Sequence, residues 1–170
     1  FSFSKNNNLR VIEDAAHAFG STLEGRKVGE SGDITCFSFD GIKNITAGEG
    51  GCVVSDDIDL IHRVSDASLL GVVNDSAARI TNRRQWTFDV TAIGWRYHMS
   101  NIMAAIGIEQ LKKQKSLASR RQALASKYDI LFSSLDRISP VARNCPGAVP
   151  HIYVVRIADL TVSGREKLRK

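Results

Sequence analysis

Short apolar runs separated by polar turns predict a sheet in the first third of the chain. Residues 9–13 have the pattern of a buried strand that ends at Asp14, and residues 34–40 form a second run, rich in β-branched and aromatic side chains. Residues 50–57 predict a third strand. Residues 23–33 are rich in glycine and charge, which predicts a turn or small hairpin. The loop before the third strand leaves no room for a crossover helix, so its pairing with the second strand is expected to be antiparallel.

Helical patterns follow these strands. Asp56 or Asp57 is suited to cap a helix that continues to about Leu70. Ser100 is suited to cap a longer helix with a continuous apolar face. No proline interrupts that pattern, so the helix is expected to extend to near Leu135, with or without a bend.

The remaining segments are predicted from breakers and apolar runs. Residues 71–91 show no clear period and are expected to form an irregular loop. His151 begins an apolar run that predicts the first strand of a new unit, and Ser163 is expected to cap a final helix. A proline-containing segment precedes that unit and is marked by Pro140, Pro146 and Pro150.

Length and composition indicate a globular protein. The chain has 170 residues, of which 43% are hydrophobic and 24% charged, enough for one domain or parts of two. No apolar run has the length of a membrane span. The first ten residues lack an initiator methionine and a signal-peptide core, so we expect the chain to begin within a longer, cytoplasmic protein.

The net charge of +5 does not by itself indicate a nucleic-acid-binding protein. The excess is concentrated at Arg83, Arg84 and residues 112–121. Nucleic-acid binding requires a basic stripe together with a reading module, and the chain has no zinc-finger, RNP or helix-turn-helix pattern. A solvated helix face, with anionic small molecules nearby, is the favoured interpretation.

The cysteines and histidines favour neither disulfides nor a metal site. Cys36, Cys52 and Cys145 are widely spaced, and the first two lie in strand-like runs. That pattern is typical of buried, reduced thiols in a cytoplasmic protein. The remaining candidate ligands lack metal-binding spacing, so no metal is expected: His62, His98 and His151.

A lone lysine, Lys43, lies among small and apolar residues in the loop between two predicted strands. Such a lysine either extends to solvent or performs chemistry. Burial lowers the pKa of a lysine, and a neutral amine can form a Schiff base with an aldehyde such as pyridoxal 5′-phosphate (PLP). PLP also needs a carboxylate facing its pyridine nitrogen. Neighbouring strands would bring Asp14 and Lys43 to one crevice, but this pair alone does not identify the chemistry.

Three longer blocks are more specific. They read "VIEDAAHAFGS", "GDITCFSFDGIKNITAGEGG" and "GWRYHMSNIMAAIGIEQL". In this order they resemble the DegT/DnrJ/EryC1/StrS family, the PLP-dependent aminotransferases of nucleotide-sugar metabolism. The resemblance extends from about residue 9 to about residue 121, with a weaker match at "HIYVVRI".

The resemblance implies a role for each matching residue. Lys43 corresponds to the lysine that holds PLP, and Asp14 to the aspartate that faces the pyridine nitrogen. His17 corresponds to a residue beside the ring and its phenolic oxygen, and Ser38 to a phosphate contact. The alternatives, which are less favoured, are that His17 is a half-buried structural histidine and that Ser38 is an ordinary strand residue.

The chain departs from the common family pattern at two positions. Arg96 stands where many relatives have an asparagine that reaches the phosphate in the partner subunit's site, and arginine can also bind phosphate. Asp40 stands where a histidine is frequent. Lys43 itself is retained, which favours transamination over the dehydratase chemistry of members with histidine there. The "GEGG" sequence lacks the context of a dinucleotide-binding loop, so we interpret it as a tight turn whose glycines admit the cofactor.

The fold implied by the resemblance is the α/β fold-type-I PLP-dependent transferase. Residues 1–112 would form the second half of a PLP-binding, three-layer α/β/α large domain with a mostly parallel sheet. Residues 113–170 would form the connecting helix and the start of a smaller C-terminal α+β domain. The family normally forms homodimers with shared active sites. Since the first half of the large domain would be missing, this stretch alone is expected to be inactive.

The function implied is transfer of an amino group from an amino acid, expected to be glutamate, to the keto sugar of a nucleotide-sugar. The product would be an amino sugar for surface polysaccharide, glycan or antibiotic synthesis. The alternative is a non-catalytic relative that binds a sugar nucleotide or a protein as a sensor. Retention of both Lys43 and Asp14 favours the enzyme, because a binding module has no chemical need for that pair.

Overall fold

A computed structural model describes residues 2–30, 32–73, 88–143 and 145–169. The helices are α1 (Ser2–Asn6), α2 (Ile58–Ser68), α3 (Asn101–Phe132) and α4 (Val162–Leu168). The strands are β1 (Ile12–Asp14), β2 (Thr22–Leu23), β3 (Arg26–Lys27), β4 (Ile34–Ser38), β5 (Gly51–Val54), β6 (Ile138–Pro140) and β7 (Val155–Ile157).

The central sheet contains three strands in the order β1-β4-β5. β1 is parallel to β4, with Asp14 in register with Cys36. β4 is antiparallel to β5, with Ser38 opposite Gly51, which confirms the predicted antiparallel pairing. Within this sheet the β1–β4 pairing follows the expected parallel arrangement, and β5 runs against it.

The buried core lies along β4 and the segments that follow β1 and β4. Ile34 and Phe37 are buried on β4, and Ala15, Ile45 and Ala47 are buried beside it. Removal of this apolar surface from water is the main term that stabilises the sheet. The loop that contains Lys43 therefore has both of its flanks anchored in the core.

The glycine-rich segment after β1 forms the predicted hairpin. β2 and β3 pair antiparallel, with Leu23 opposite Arg26. The two turn residues between them, Glu24 and Gly25, have φ of 51° and 80°. Positive φ at both central positions is the geometry of a type I′ turn, which matches the twist of a two-stranded ribbon.

The predicted caps of the first two long helices are confirmed. The Asp57 carboxylate accepts a hydrogen bond from Leu60 N, and the Ser100 hydroxyl accepts one from Met103 N. α3 is one continuous helix of 32 residues. Neither α3 nor another helix among the described residues combines the length and apolar character needed to cross a membrane. The predicted domain boundary at residue 112 falls inside α3, and that division stays a prediction.

The C-terminal predictions need correction. The strand predicted from His151 is shorter and is confined to β7, which pairs antiparallel with β6. β6 is not predicted by the sequence, because it ends at Pro140, the first of the prolines that mark the predicted proline-containing segment. A proline is tolerated at a strand end because only one ladder donor is lost. The cap of α4 is Thr161, whose hydroxyl accepts from Gly164 N, and not Ser163, which lies inside the helix.

The short helix α1 was not predicted from the sequence. Cys36, Cys52 and Cys145 are free, half-buried thiols. Most of the predicted 71–91 loop, including Arg83 and Arg84, lies outside the described residues.

Candidate active site

The ends of β1 and β4 lie side by side. The strands are parallel neighbours, so their carboxyl ends meet at the same edge of the sheet. Asp14 is the last residue of β1, and Ser38 is the last residue of β4. Ligand sites of α/β folds form at such edges because the loops there are free to carry functional groups.

The Asp14 carboxylate is exposed and only partly used by the fold. Its Oδ1 accepts a hydrogen bond from Ala16 N at 3.1 Å, which starts the turn that carries His17. An aspartate bonded to the backbone two residues later forms an Asx-turn. The other carboxylate oxygen accepts no hydrogen bond from the described residues and is available to a ligand.

Lys43 lies half-buried in the loop between β4 and β5. Its backbone N donates to Asp40 O at 3.0 Å. Among the described residues its ammonium group makes neither a hydrogen bond nor an ion pair. The fold therefore fixes the backbone of Lys43 and leaves its amine open to reaction.

Asn44 joins this loop to the turn after β1. It is buried, and its side-chain nitrogen lies 3.4 Å from His17 O and 3.1 Å from both Phe19 O and Val149 O. Its Oδ1 is buried without a partner among the described residues. The role of Asn44 was not predicted from the sequence, because it depends on contacts with residues 25 to 105 positions away.

Two histidines pack against one another beside Lys43. The ring centroids of His17 and His151 are 4.1 Å apart, with the planes inclined by 41°. Burial lowers the pKa of His151, the positive charges of His17, Lys43 and Arg121 lower it further, and Asp40 opposes the shift. His151 Nδ1 is buried without a partner among the described residues. These observations favour a neutral imidazole at His151.

Arg121, on α3, contacts the backbone of both Lys43 and His151. Its Nη2 donates to Lys43 O at 3.3 Å, and its Nη1 donates to His151 O at 3.2 Å and lies 3.5 Å from Pro150 O. The expectation of a solvated basic face is wrong for this residue, which is half-buried. It holds for Lys113 and Arg120, which are exposed on the same helix.

Ser38 and Asp40 have local hydrogen bonds in the structure. Ser38 is half-buried, and its Oγ accepts from Asp40 N at 3.4 Å. The Asp40 carboxylate accepts from Ile42 N at 3.2 Å. Both side chains shape the start of the Lys43 loop. The phosphate contact of Ser38 stays a prediction.

The "GEGG" segment forms the predicted tight turn. Gly48 and Gly50 have φ of 86° and 129°, a region that residues with a side chain rarely adopt. A Cβ on Gly50 would lie 2.6 Å from Met99 Cε, whereas one on Gly48 would meet nothing within 4 Å. Backbone conformation therefore favours glycine at both positions, and a side chain at Gly50 would also displace the end of the Met99 side chain.

Arg96 is exposed and forms an isolated bridge with Leu69 at the end of α2. Its contact with the phosphate in the partner subunit's site stays a prediction.

A large cavity in the described part of the chain does not have Lys43 in its lining. It has a volume of about 760 Å³, lies between the sheet, α2 and residues 95–99, and has mostly apolar walls that include Phe37, Val64 and Trp95. Chemistry, not cavity size, therefore identifies the candidate site. No group of three or more metal-ligating side chains is assembled within the described part of the chain.

Comparison with known proteins gives a consistent result. A profile of the DegT/DnrJ/EryC1/StrS aminotransferase family matches residues 2–169. GDP-perosamine synthase of Escherichia coli O157:H7 is 40% identical over 167 residues, which cover 98% of this chain and 42% of that enzyme.

Two solved structures share the fold. Helicobacter pylori PseC, an aminotransferase involved in the biosynthesis of pseudoaminic acid, has a TM-score of 0.84 at 26% identity, over 97% of this chain and 43% of that one. Spr1654 from Streptococcus pneumoniae, assigned as a sugar aminotransferase and solved in its PLP form, has a TM-score of 0.80 at 29% identity, over 98% and 42%. These matches confirm the predicted fold-type-I class. The chain spans about two fifths of the length of these proteins.

Proposed function

Since the chain belongs to the DegT/DnrJ/EryC1/StrS aminotransferase family, we propose that the complete protein is a PLP-dependent aminotransferase in which Lys43 binds the cofactor. One observation carries this proposal. Asp14 ends β1, and Lys43 lies in the loop that follows the neighbouring parallel strand β4; within the described residues the Lys43 amine has no partner and one Asp14 carboxylate oxygen accepts no hydrogen bond. An amine and a carboxylate are the minimal protein contribution to PLP chemistry.

The residues of the site fit PLP. Lys43 supplies the amine for the aldehyde, and Asp14 supplies the carboxylate for the pyridine nitrogen. The Ser38 hydroxyl and, from the partner subunit of a homodimer, the Arg96 guanidinium suit a phosphate. His17 would lie beside the ring. When bound, PLP supplies an electron sink that stabilises a negative charge on the substrate carbon.

Each of these groups has a task in transamination. The Asp14 carboxylate would keep the pyridine nitrogen of bound PLP protonated, because an adjacent negative charge favours the cationic form. The Lys43 amine, which would hold PLP, would also move the proton, accepting it at Nζ as a general base and giving it up as a general acid. The hydrogen bond from Lys43 N to Asp40 O restricts the backbone that carries this amine.

The proposed substrates are a keto sugar linked to a nucleoside diphosphate and an amino-acid donor, glutamate. Support comes from the names of relatives, which include GDP-perosamine synthase and a UDP-amino-sugar transaminase of Campylobacter jejuni. The product would serve surface polysaccharide, glycan or antibiotic synthesis. We also propose a cytoplasmic location, because the number and wide spacing of the three cysteines are typical of reduced thiols.

The proposal includes the domain division. Residues 1–112 would belong to the PLP-binding large domain, and residues 113–170 would connect it to the smaller C-terminal domain. α3 crosses this boundary without a break, so it would join the two domains mechanically.

The test is amino transfer by the complete reading frame. Purified protein with PLP is incubated with isotopically labelled glutamate and a panel of keto sugars linked to UDP or GDP. We expect the label in an amino sugar by mass spectrometry, and no transfer with Lys43→Ala. Tight binding of a sugar nucleotide without transfer of the label would favour the sensor instead.

A further inference from the structure

The segment 145–151, called the connector below, is bound to the rim of the Lys43 site. Gly147 O accepts from Thr22 N at 2.9 Å, and Val149 N donates to Ser21 Oγ at 2.9 Å. Gln122 on α3 donates to Ala148 O at 3.0 Å. Hydrogen bonds to the backbone of the connector, from residues 21–22 on one side and from α3 on the other, therefore hold it without help from Arg121.

Arg121 adds a different kind of link. Two nitrogens of one guanidinium bind carbonyls of two different segments: Nη2 donates to Lys43 O, and Nη1 donates to His151 O. A guanidinium holds its donors in a rigid plane, so the position of one acceptor restricts the other. An ammonium group is a compact point donor on a flexible stem and cannot reproduce this geometry.

We propose that Arg121 is a positioning residue, which fixes the backbone of Lys43 relative to the connector and so to the His17–His151 pair. This inference rests on the proposed function, because it gives Arg121 a role in placing the amine that binds PLP. The side chain does not touch the reacting atoms. It acts through the carbonyl of Lys43, a residue 78 positions earlier in the chain.

A merely structural role predicts a different result. If Arg121 only stabilised the fold, its removal would loosen the whole chain. Since Ser21, Thr22 and Gln122 continue to hold the connector, the positioning role predicts a local effect around Lys43. Arg120 is the matched control, because it is the adjacent arginine on α3 and is exposed.

The test is amide hydrogen exchange in the complete protein without PLP, compared among wild type, Arg121→Ala, Arg121→Lys and Arg120→Ala. For Arg121→Ala we expect exchange at the Lys43 amide to rise by about tenfold or more, the size expected from loss of a charged hydrogen bond. Arg121→Lys should restore only part of the protection, and Arg120→Ala should match the wild type.

A second readout uses the protein with PLP bound. The pH at which the visible absorption of the cofactor changes should shift in Arg121→Ala and, to a smaller extent, in Arg121→Lys, which keeps the charge but not the planar geometry.

Uniformly faster exchange, or equal exchange in Arg121→Ala and Arg120→Ala, would overturn the inference. Failure of PLP to attach to wild-type Lys43 would instead overturn the proposed function, while the exchange result would still report on Arg121.

Discussion

At the scale of single residues, His151 is the group with the most informative environment. Its pKa is lowered in the folded chain by burial and by three positive neighbours. In the unfolded chain it returns to its ordinary value of about 6.5. Between these two values the unfolded chain binds more protons, so the contribution of His151 to stability is present above about pH 6.5 and is lost as the pH falls through the folded pKa.

This sign gives a prediction for acid stability. His151→Gln, which cannot be protonated, should reduce the loss of unfolding free energy between about pH 8 and about pH 5. The measurement is chemical denaturation of the complete protein at a series of pH values. His62→Gln, at an exposed position on α2, serves as the control. An unchanged pH dependence in His151→Gln would show that His151 is not held neutral by its surroundings.

Only the site residues that lie in local sequence motifs could be identified from the sequence. Lys43 and Asp14 lie in blocks that resemble the family, so they could be selected without a structure. Asn44, Arg121 and His151 could not, because their roles arise from contacts over long separations. The Asn44 bond to Val149 O spans 105 residues, and no period or spacing rule predicts such a contact.

At the scale of elements, α3 depends on its N-cap. Ser100 accepts a hydrogen bond from Met103 N at 3.3 Å, which satisfies one of the free donors of the first turn. We expect Ser100→Ala to lower the unfolding free energy by about 1 kcal/mol, and Ser100→Gly by only a few tenths. Ser116→Ala, at an exposed position inside α3, should be neutral or slightly stabilising because alanine is the better helix former.

Denaturant titration of the complete protein measures all three variants. Equal stability of Ser100→Ala and Ser116→Ala would contradict the cap assignment. The site lies beside α3 at Arg121, so a frayed first turn should leave the Arg121 contacts in place.

The helices and strands that could be predicted from the sequence are those with clear local signals. β4, α2 and α3 were predictable because apolar pattern and capping chemistry agree there. β6 depends on its pairing with β7, which only the tertiary structure supplies. Thr161 and Ser163 are both suited to a cap, and the choice between them is made by the extended backbone at Thr161.

At the scale of the whole molecule, large apolar side chains remain exposed on the sheet and on α3. Ile12 on β1 is 69% exposed, and Ile102 on α3 is 77% exposed. Contiguous exposed apolar surface is typical of an interaction site. The chain spans about two fifths of the length of these relatives.

The central claim is that Lys43 forms the covalent bond to PLP. The most direct measurement is reduction of the complete protein with borohydride in the presence of PLP, followed by mapping of the modified peptide by mass spectrometry. We predict a pyridoxyl group on the Lys43 peptide, lost in Lys43→Ala and retained in Lys112→Ala, which changes an exposed lysine on α3. An unmodified Lys43 in the folded protein would contradict the account and leave the binding module as the better explanation.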